Sequence, residues 1–141
     1  MPQAIVKPAG ATRELVLLGG GHAHVHVLKS FGERPVPGLN LTLVAREIEA
    51  PYSGMLPGLI AGHYQPAECH IDLARLARFA GARLVHDEAV GIERGERAIR
   101  CRSHPPIGYD LLSIDIGSTP NLGIPGAAGH VTPVKPIDGF A

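Results

Sequence analysis

Two spacings of apolar residues alternate along the chain. Leu15-Val16-Leu17-Leu18 is an unbroken apolar run and predicts a strand over Glu14–Leu18 that is buried on both faces. Three glycines, Gly19 to Gly21, end it. Ala23, Val27 and Phe31 then recur every four residues with Leu28 beside them, which predicts a helix from His22 to Phe31 with one apolar face. Leu39 to Ala45 alternates and then runs apolar. It reads as a second parallel strand, which a right-handed crossover places beside the first. Pro51 to Tyr64 is apolar but broken by Gly and Pro, with room for a short helix over Met55–Ala61 that has Pro57 in its first turn. Leu73, Leu76, Ala77 and Ala80 form the buried stripe of a helix over Ile71–Ala80, which Gly81 ends. Asp72 sits near its start, where a carboxylate is favoured.

The second half reads as β-structure. Ala82–Val85 is a third short strand. Glu88–Glu93 and Arg97–Arg102 flank Arg94-Gly95-Glu96 as a hairpin. Tyr109–Asp115 is a further apolar strand, closed by Gly117. Residues 1–12 read as a loose lead and Pro120–Pro136 as loop, and Pro136–Phe140 has the pattern of a helix start. The fold class expected is α/β, a Rossmann-like parallel sheet with an inserted β-hairpin or meander. The strand over 111–115 should lie beside 14–18, with 41–45 on the other side of 14–18 and 83–85 beyond it.

Composition narrows the classes. The 141 residues are enough for one domain with a core, and they are 45% hydrophobic and 18% charged. The formal net charge is zero and the aromatics are three Tyr and three Phe, which argues against a nucleic-acid partner. No stretch approaches the roughly 20 apolar residues of a transmembrane segment. Residues 1–12 lack the apolar core of a signal peptide. Cys69 and Cys101 are far apart in no C-x-x-C pattern, so a reduced, cytoplasmic setting is expected.

The chemistry gathers at the glycine turn. A strand, a glycine turn and a helix N-terminus make an anion site, because the helix dipole and unpaired amides point at the turn. Gly19 and Gly21 fill the first two positions of the G-x-G-x-x-G dinucleotide fingerprint, and His24 stands at the third. Either the helix stands off from the strand or His24 points into a roomy place. The amides of residues 20–23 are expected to face a pyrophosphate or a smaller anion. Beyond the second strand, Glu47 is the candidate for the ribose hydroxyls, while Arg46 suits a 2′-phosphate and would favour NADP. His22 and His26 lie one helical turn apart, a spacing that zinc or copper accepts. No carboxylate or cysteine completes such a site, so no metal is assigned. His22 and His24 are instead expected to meet the nucleotide or a flavin-side cavity. His63, His70, His86, His104 and His130 read as structural or solvated.

In order, these motifs resemble the first third of the FAD-dependent pyridine nucleotide–disulfide oxidoreductase superfamily. The likeness is strongest to type II NADH dehydrogenase-like proteins and to the flavoprotein segment fused in front of selenophosphate synthetase. It is carried by Gly19-Gly20-Gly21-His22-Ala23-His24-Val25, by Pro51-Tyr52-Ser53-Gly54-Met55-Leu56-Pro57-Gly58 and by Tyr109 to Ser118. Val134-Lys135-Pro136 resembles the lead into a nicotinamide-binding domain.

The resemblance implies FAD as cofactor and NAD(P)H as co-substrate. Gly19, Gly20, Gly21, His22, Ala23, His24, Arg46, Glu47 and Gly117 would bind the cofactor. Residues 1–141 would be the N-terminal part of the FAD-binding domain, lacking the nicotinamide-binding domain and the C-terminal return, and so not catalytic alone. Contact with those missing parts, or a homo-oligomer, would cover exposed surface. Asp115 and Ile116 stand where the superfamily has Ala and Thr before its glycine, and Ala45 where it has the acidic ribose ligand. Pro51–Tyr64 lacks the family's pair of redox cysteines, so hydride transfer would run through flavin alone. The alternative is a stand-alone dinucleotide-binding or assembly module without turnover.

Overall fold

A computed structural model describes residues 13–118, 121 and 123–131. The predicted lead over residues 1–12, the Val134-Lys135-Pro136 motif and the helix start at Pro136 lie outside the described residues. In chain order the elements are β1 (Arg13–Leu18), α1 (His22–Glu33), β2 (Leu39–Ala45), β3 (Glu49–Pro51), α2 (Leu56–Ile60), β4 (His70–Asp72), α3 (Leu73–Phe79), β5 (Arg83–His86), β6 (Ala89–Glu93), β7 (Ala98–Cys101), β8 (Ile107–Gly108), β9 (Leu111–Ile114) and α4 (Ala127–His130). The described residues divide into two units, 13–50 with 72–116, and 51–71 with 117–118, 121 and 123–131.

The first unit is built on a four-stranded parallel sheet of order β5-β2-β1-β9. This is the predicted order. The apolar run of β1 is central because both of its edges pair, Leu17 with Leu43 on one side and with Ser113 on the other. Alternate residues of a strand point to opposite faces. Val16, Leu18, Val44 and Val85 form a core with Ile99 of β7 and Ile107 of β8, so the antiparallel sheet β6-β7-β8 covers that face. This sheet is the expected insertion, in its meander form. Leu17 and Leu43, fully buried, line the other face, together with Ser113 by register.

Helix α1 covers that second face, but on a stripe rotated from the predicted one. Its buried residues are His24 and Leu28, whereas Ala23 is exposed and Val27 and Phe31 are half-buried. Periodicity alone places a histidine outside. It goes inside here because both ring nitrogens find partners within the core. Helix α3 packs against α1 closely enough that a Cβ on Gly32 would lie 2.3 Å from the Phe79 ring. Asp72 caps α3 by accepting from the Arg75 amide (2.8 Å), a contact of about 1 kcal/mol. The buried positions of α3 are Leu73 and Ala77, with Leu76 and Ala80 half-buried at its margin. Periodicity did not reveal β3 and β4, which form a separate two-stranded sheet. Three-residue strands are too short to show a period.

The second unit contains α2, entered through a 3-10 turn over Ser53–Met55. Gly58 packs under the Tyr64 ring, with 2.4 Å between its notional Cβ and the ring edge, so the Gly/Pro-rich stretch folds back on itself. A second 3-10 turn, Pro66–Cys69, carries a reciprocal cap between Gln65 and Glu68 and buries Cys69. Helix α4 interrupts the segment expected to be loop.

Candidate functional site

In a parallel sheet all the carboxyl ends fall on one edge. Here that edge carries Gly19 after β1, Arg46 after β2, Asp87 after β5 and Asp115 after β9. The chain leaves β1 toward β2 on one side and returns as β9 on the other. The edge beside β1 is therefore a topological switch point, where open α/β sheets place ligands.

Each glycine of the turn has its own reason. Gly19 has φ +96° and its amide extends the β1–β2 ladder to the Val44 carbonyl (2.8 Å). A Cβ there would sit 2.2 Å from the Asp115 carbonyl oxygen. A Cβ on Gly20 would meet the Leu73 Cδ1 at 2.4 Å. Gly21 has ordinary extended backbone and is the N-cap of α1, but its notional Cβ lies 2.1–2.2 Å from the carboxylate of Asp115.

That carboxylate takes the donors of the helix N-terminus. Asp115 Oδ2 accepts from the Ala23 amide (2.9 Å) and the His24 amide (3.3 Å), while the Gly21 amide donates to the Asp115 carbonyl (3.0 Å). The first turn of α1 has no acidic residue of its own and Gly21 offers no side chain to cap it. A residue 92 positions away supplies the cap instead. The sequence suggests an external anion at these amides. In the structure they face one of the chain's own. The amino-acid signal was an acidic residue at the end of a strand that pairs with β1, beside a helix N-terminus.

His24 is 1% exposed and does not open toward a ligand. Its Nδ1 donates to the Gly19 carbonyl (2.7 Å) and its Nε2 pairs with the Ser113 hydroxyl (2.9 Å). A carbonyl can only accept, so Nδ1 carries a proton. The ring fills the space between helix and sheet that a third glycine would otherwise close. This accounts for the departure from the fingerprint: the His24 ring is held inside, and its backbone amide faces the turn. His22 is half-buried at the first helical position and Ala23 is exposed beside it.

Arg46 and Glu47 stand exposed just past β2 and pair with each other (3.2 Å). The Arg46 carbonyl accepts from His86 Nε2 (2.9 Å), which ties this loop to the end of β5. Gly117 belongs to the second unit; its φ is +77°, and a Cβ there would meet nothing within 4 Å. Two other histidines are structural: His70 bonds the Pro66 carbonyl and His104 bonds Asp87.

Asp87 is the other carboxylate on this edge. Its side chain is 6% exposed and accepts from the Glu88, Ser103 and His104 amides and from the His104 ring. Burial pushes its carboxyl up, but these donors outweigh burial and hold it well below the usual carboxylate range. Burial, followed by the nearby Asp87 charge, raises the Cys101 thiol, so it stays protonated at neutral pH. Both cysteines are free thiols. Among the described residues no helix is long and apolar enough to cross a membrane.

No family model matches the chain and no curated protein does. Solved structures do. The sulfide:quinone oxidoreductase of the hyperthermophilic bacterium Aquifex aeolicus aligns over 86% of this chain and 28% of its own, with TM-score 0.71 and 23% identity. NDH2 of Plasmodium falciparum, solved in complex with NADH, aligns over 84% and 25%, with TM-score 0.67 and 17% identity. NADH:rubredoxin oxidoreductase of Clostridium acetobutylicum aligns over 77% and 29%, with TM-score 0.62 and 19% identity. The chain therefore spans under a third of the length of each of these proteins. At these identities the likeness is one of fold. The chain shares its fold with the matching portions of these three oxidoreductases.

Proposed function

We propose that the chain is the FAD-binding portion of an NAD(P)H-dependent flavoprotein oxidoreductase of the type II NADH dehydrogenase kind. The observation that carries this reading is the Gly19–His24 turn at the carboxyl end of the central strand, at the switch point of a parallel sheet. A carboxylate already seated on the Ala23 and His24 amides is a stand-in that fits the position to an anion. The diphosphate of FAD would take these donors, with Gly19, Gly20 and Gly21 keeping the backbone free of side chains beneath it. Glu47 would accept from the ribose hydroxyls once it leaves Arg46.

FAD, when bound, supplies the hydride chemistry. The chain binds and orients it, and no redox-active cysteine pair takes part. The nicotinamide-binding domain and the C-terminal return would belong to a longer protein, and turnover would need them.

Purified 141-residue chain is expected to titrate with FAD, quenching its fluorescence, and to release it on denaturation. Colourless protein that ignores FAD but binds NADP, with binding lost in Arg46→Ala, would favour the stand-alone dinucleotide-binding module instead.

A further inference from the structure

The Asp115 carboxylate and an incoming diphosphate need the same two amides. Asp115 Oδ2 holds the Ala23 and His24 N–H groups, and the carboxylate fills the volume above Gly21 into which a Cβ would project. Asp115 is also fixed by its backbone, its amide donating to Leu18 (2.8 Å) and its carbonyl accepting from Gly21. The side chain can turn away while the backbone stays. A dianionic diphosphate placed there with Asp115 still seated would meet a like charge at contact distance and find its donors taken.

We propose that Asp115 is a built-in competitor for the anion seat of the glycine turn. Its carboxylate closes the seat in the empty chain, and a diphosphate ligand binds only by displacing it. This rests on the reading of the turn as a dinucleotide site and adds to it a residue that sets affinity. Charge-assisted hydrogen bonds are about twice as strong as neutral ones, so releasing two of them weakens binding by at least about tenfold.

The test uses the 141-residue chain with inorganic pyrophosphate and, separately, with FAD. Asp115→Ala should lower Tm in the absence of anion, because α1 loses its cap. Pyrophosphate should restore that loss and bind about tenfold or more tighter than to wild type. Asp115→Asn keeps the shape and an acceptor oxygen but no charge, and should fall between. It also serves where Asp115→Ala folds poorly. In ¹⁵N spectra the Ala23 and His24 amide peaks should shift on adding pyrophosphate to either variant.

Unchanged or weaker pyrophosphate binding in both variants would overturn the proposal, leaving Asp115 as a cap alone. The two readings separate cleanly. Variants that gain pyrophosphate binding while no form binds FAD uphold the competitor and sink the flavin reading. FAD binding that is equal in wild type and Asp115→Asn, with no gain for pyrophosphate, does the reverse.

Discussion

Asp87 and Asp115 both follow a parallel strand and both accept backbone amides, yet they do opposite things. Asp87 is saturated: three amides and a histidine ring surround it, and its side chain is buried. Its donors come from its own neighbour and from the Ser103–His104 turn, so it knots the end of β5 to the meander. Asp115 meets two amides through one oxygen, and the Ala23 contact is exposed. Its donors are the N–H groups of a helix end, which serve any anion equally well. A carboxylate walled in by donors is a strut. One laid across a helix terminus is an occupant that another anion can replace.

The largest expected effect breaks the Asp115 side of this comparison from below. His24 places one of the two amides, and its ring ties Gly19 to Ser113 from inside the core. His24→Gly restores the fingerprint residue, yet it should cost about 2–5 kcal/mol of stability through the cavity, with about 1 kcal/mol more for glycine within a helix. Urea denaturation measures this. A wild-type midpoint would show that the helix settles onto the strand and that the histidine is dispensable.

Gly21→Val comes next. It should remove FAD binding, and it should also destabilise the chain by about 1–3 kcal/mol, because the added carbon meets Asp115 at 2.1–2.2 Å. Made in the Asp115→Ala background, the same change should cost the fold much less while FAD binding stays lost. Equal costs in both backgrounds would show that the carboxylate does not press on Gly21. Retained FAD affinity would move the phosphate site elsewhere.

The smallest effect sharpens the Asp87 side. A carboxyl whose pKa is depressed in the folded state contributes stability above its unfolded value, near 4, and loses it as pH falls through the folded value. Asp87→Asn should therefore lower stability at pH 7 and flatten the acid limb, so that the two unfolding curves start to draw together as pH falls past about 4 and meet only well below it. Parallel curves for Asp87→Asn and wild type would remove the charge from the account of this knot.

The sequence determined the strands of the parallel sheet, their order and the helices α1 and α3. The run Leu15–Leu18, the alternation through Leu39–Ala45 and the turn Arg94-Gly95-Glu96 are local patterns, and right-handed crossovers leave few ways to arrange such strands. It also located the turn, since only glycines allow φ +96° at Gly19 and the close approach of Asp115 at Gly21. What occupies that turn was decided by tertiary structure. Asp115 is 92 residues from Ala23 and reaches it only because β9 pairs with β1 in a register that ends Ile114 beside Leu18. The same register sets Ser113 under α1 and so allows His24 to be buried, against the apolar period that placed Ala23 inside. A buried polar group is settled by the partners it finds, and those partners come from other strands. Periodicity measures the transfer of a side chain out of water and carries no record of the hydrogen bond waiting on the far side.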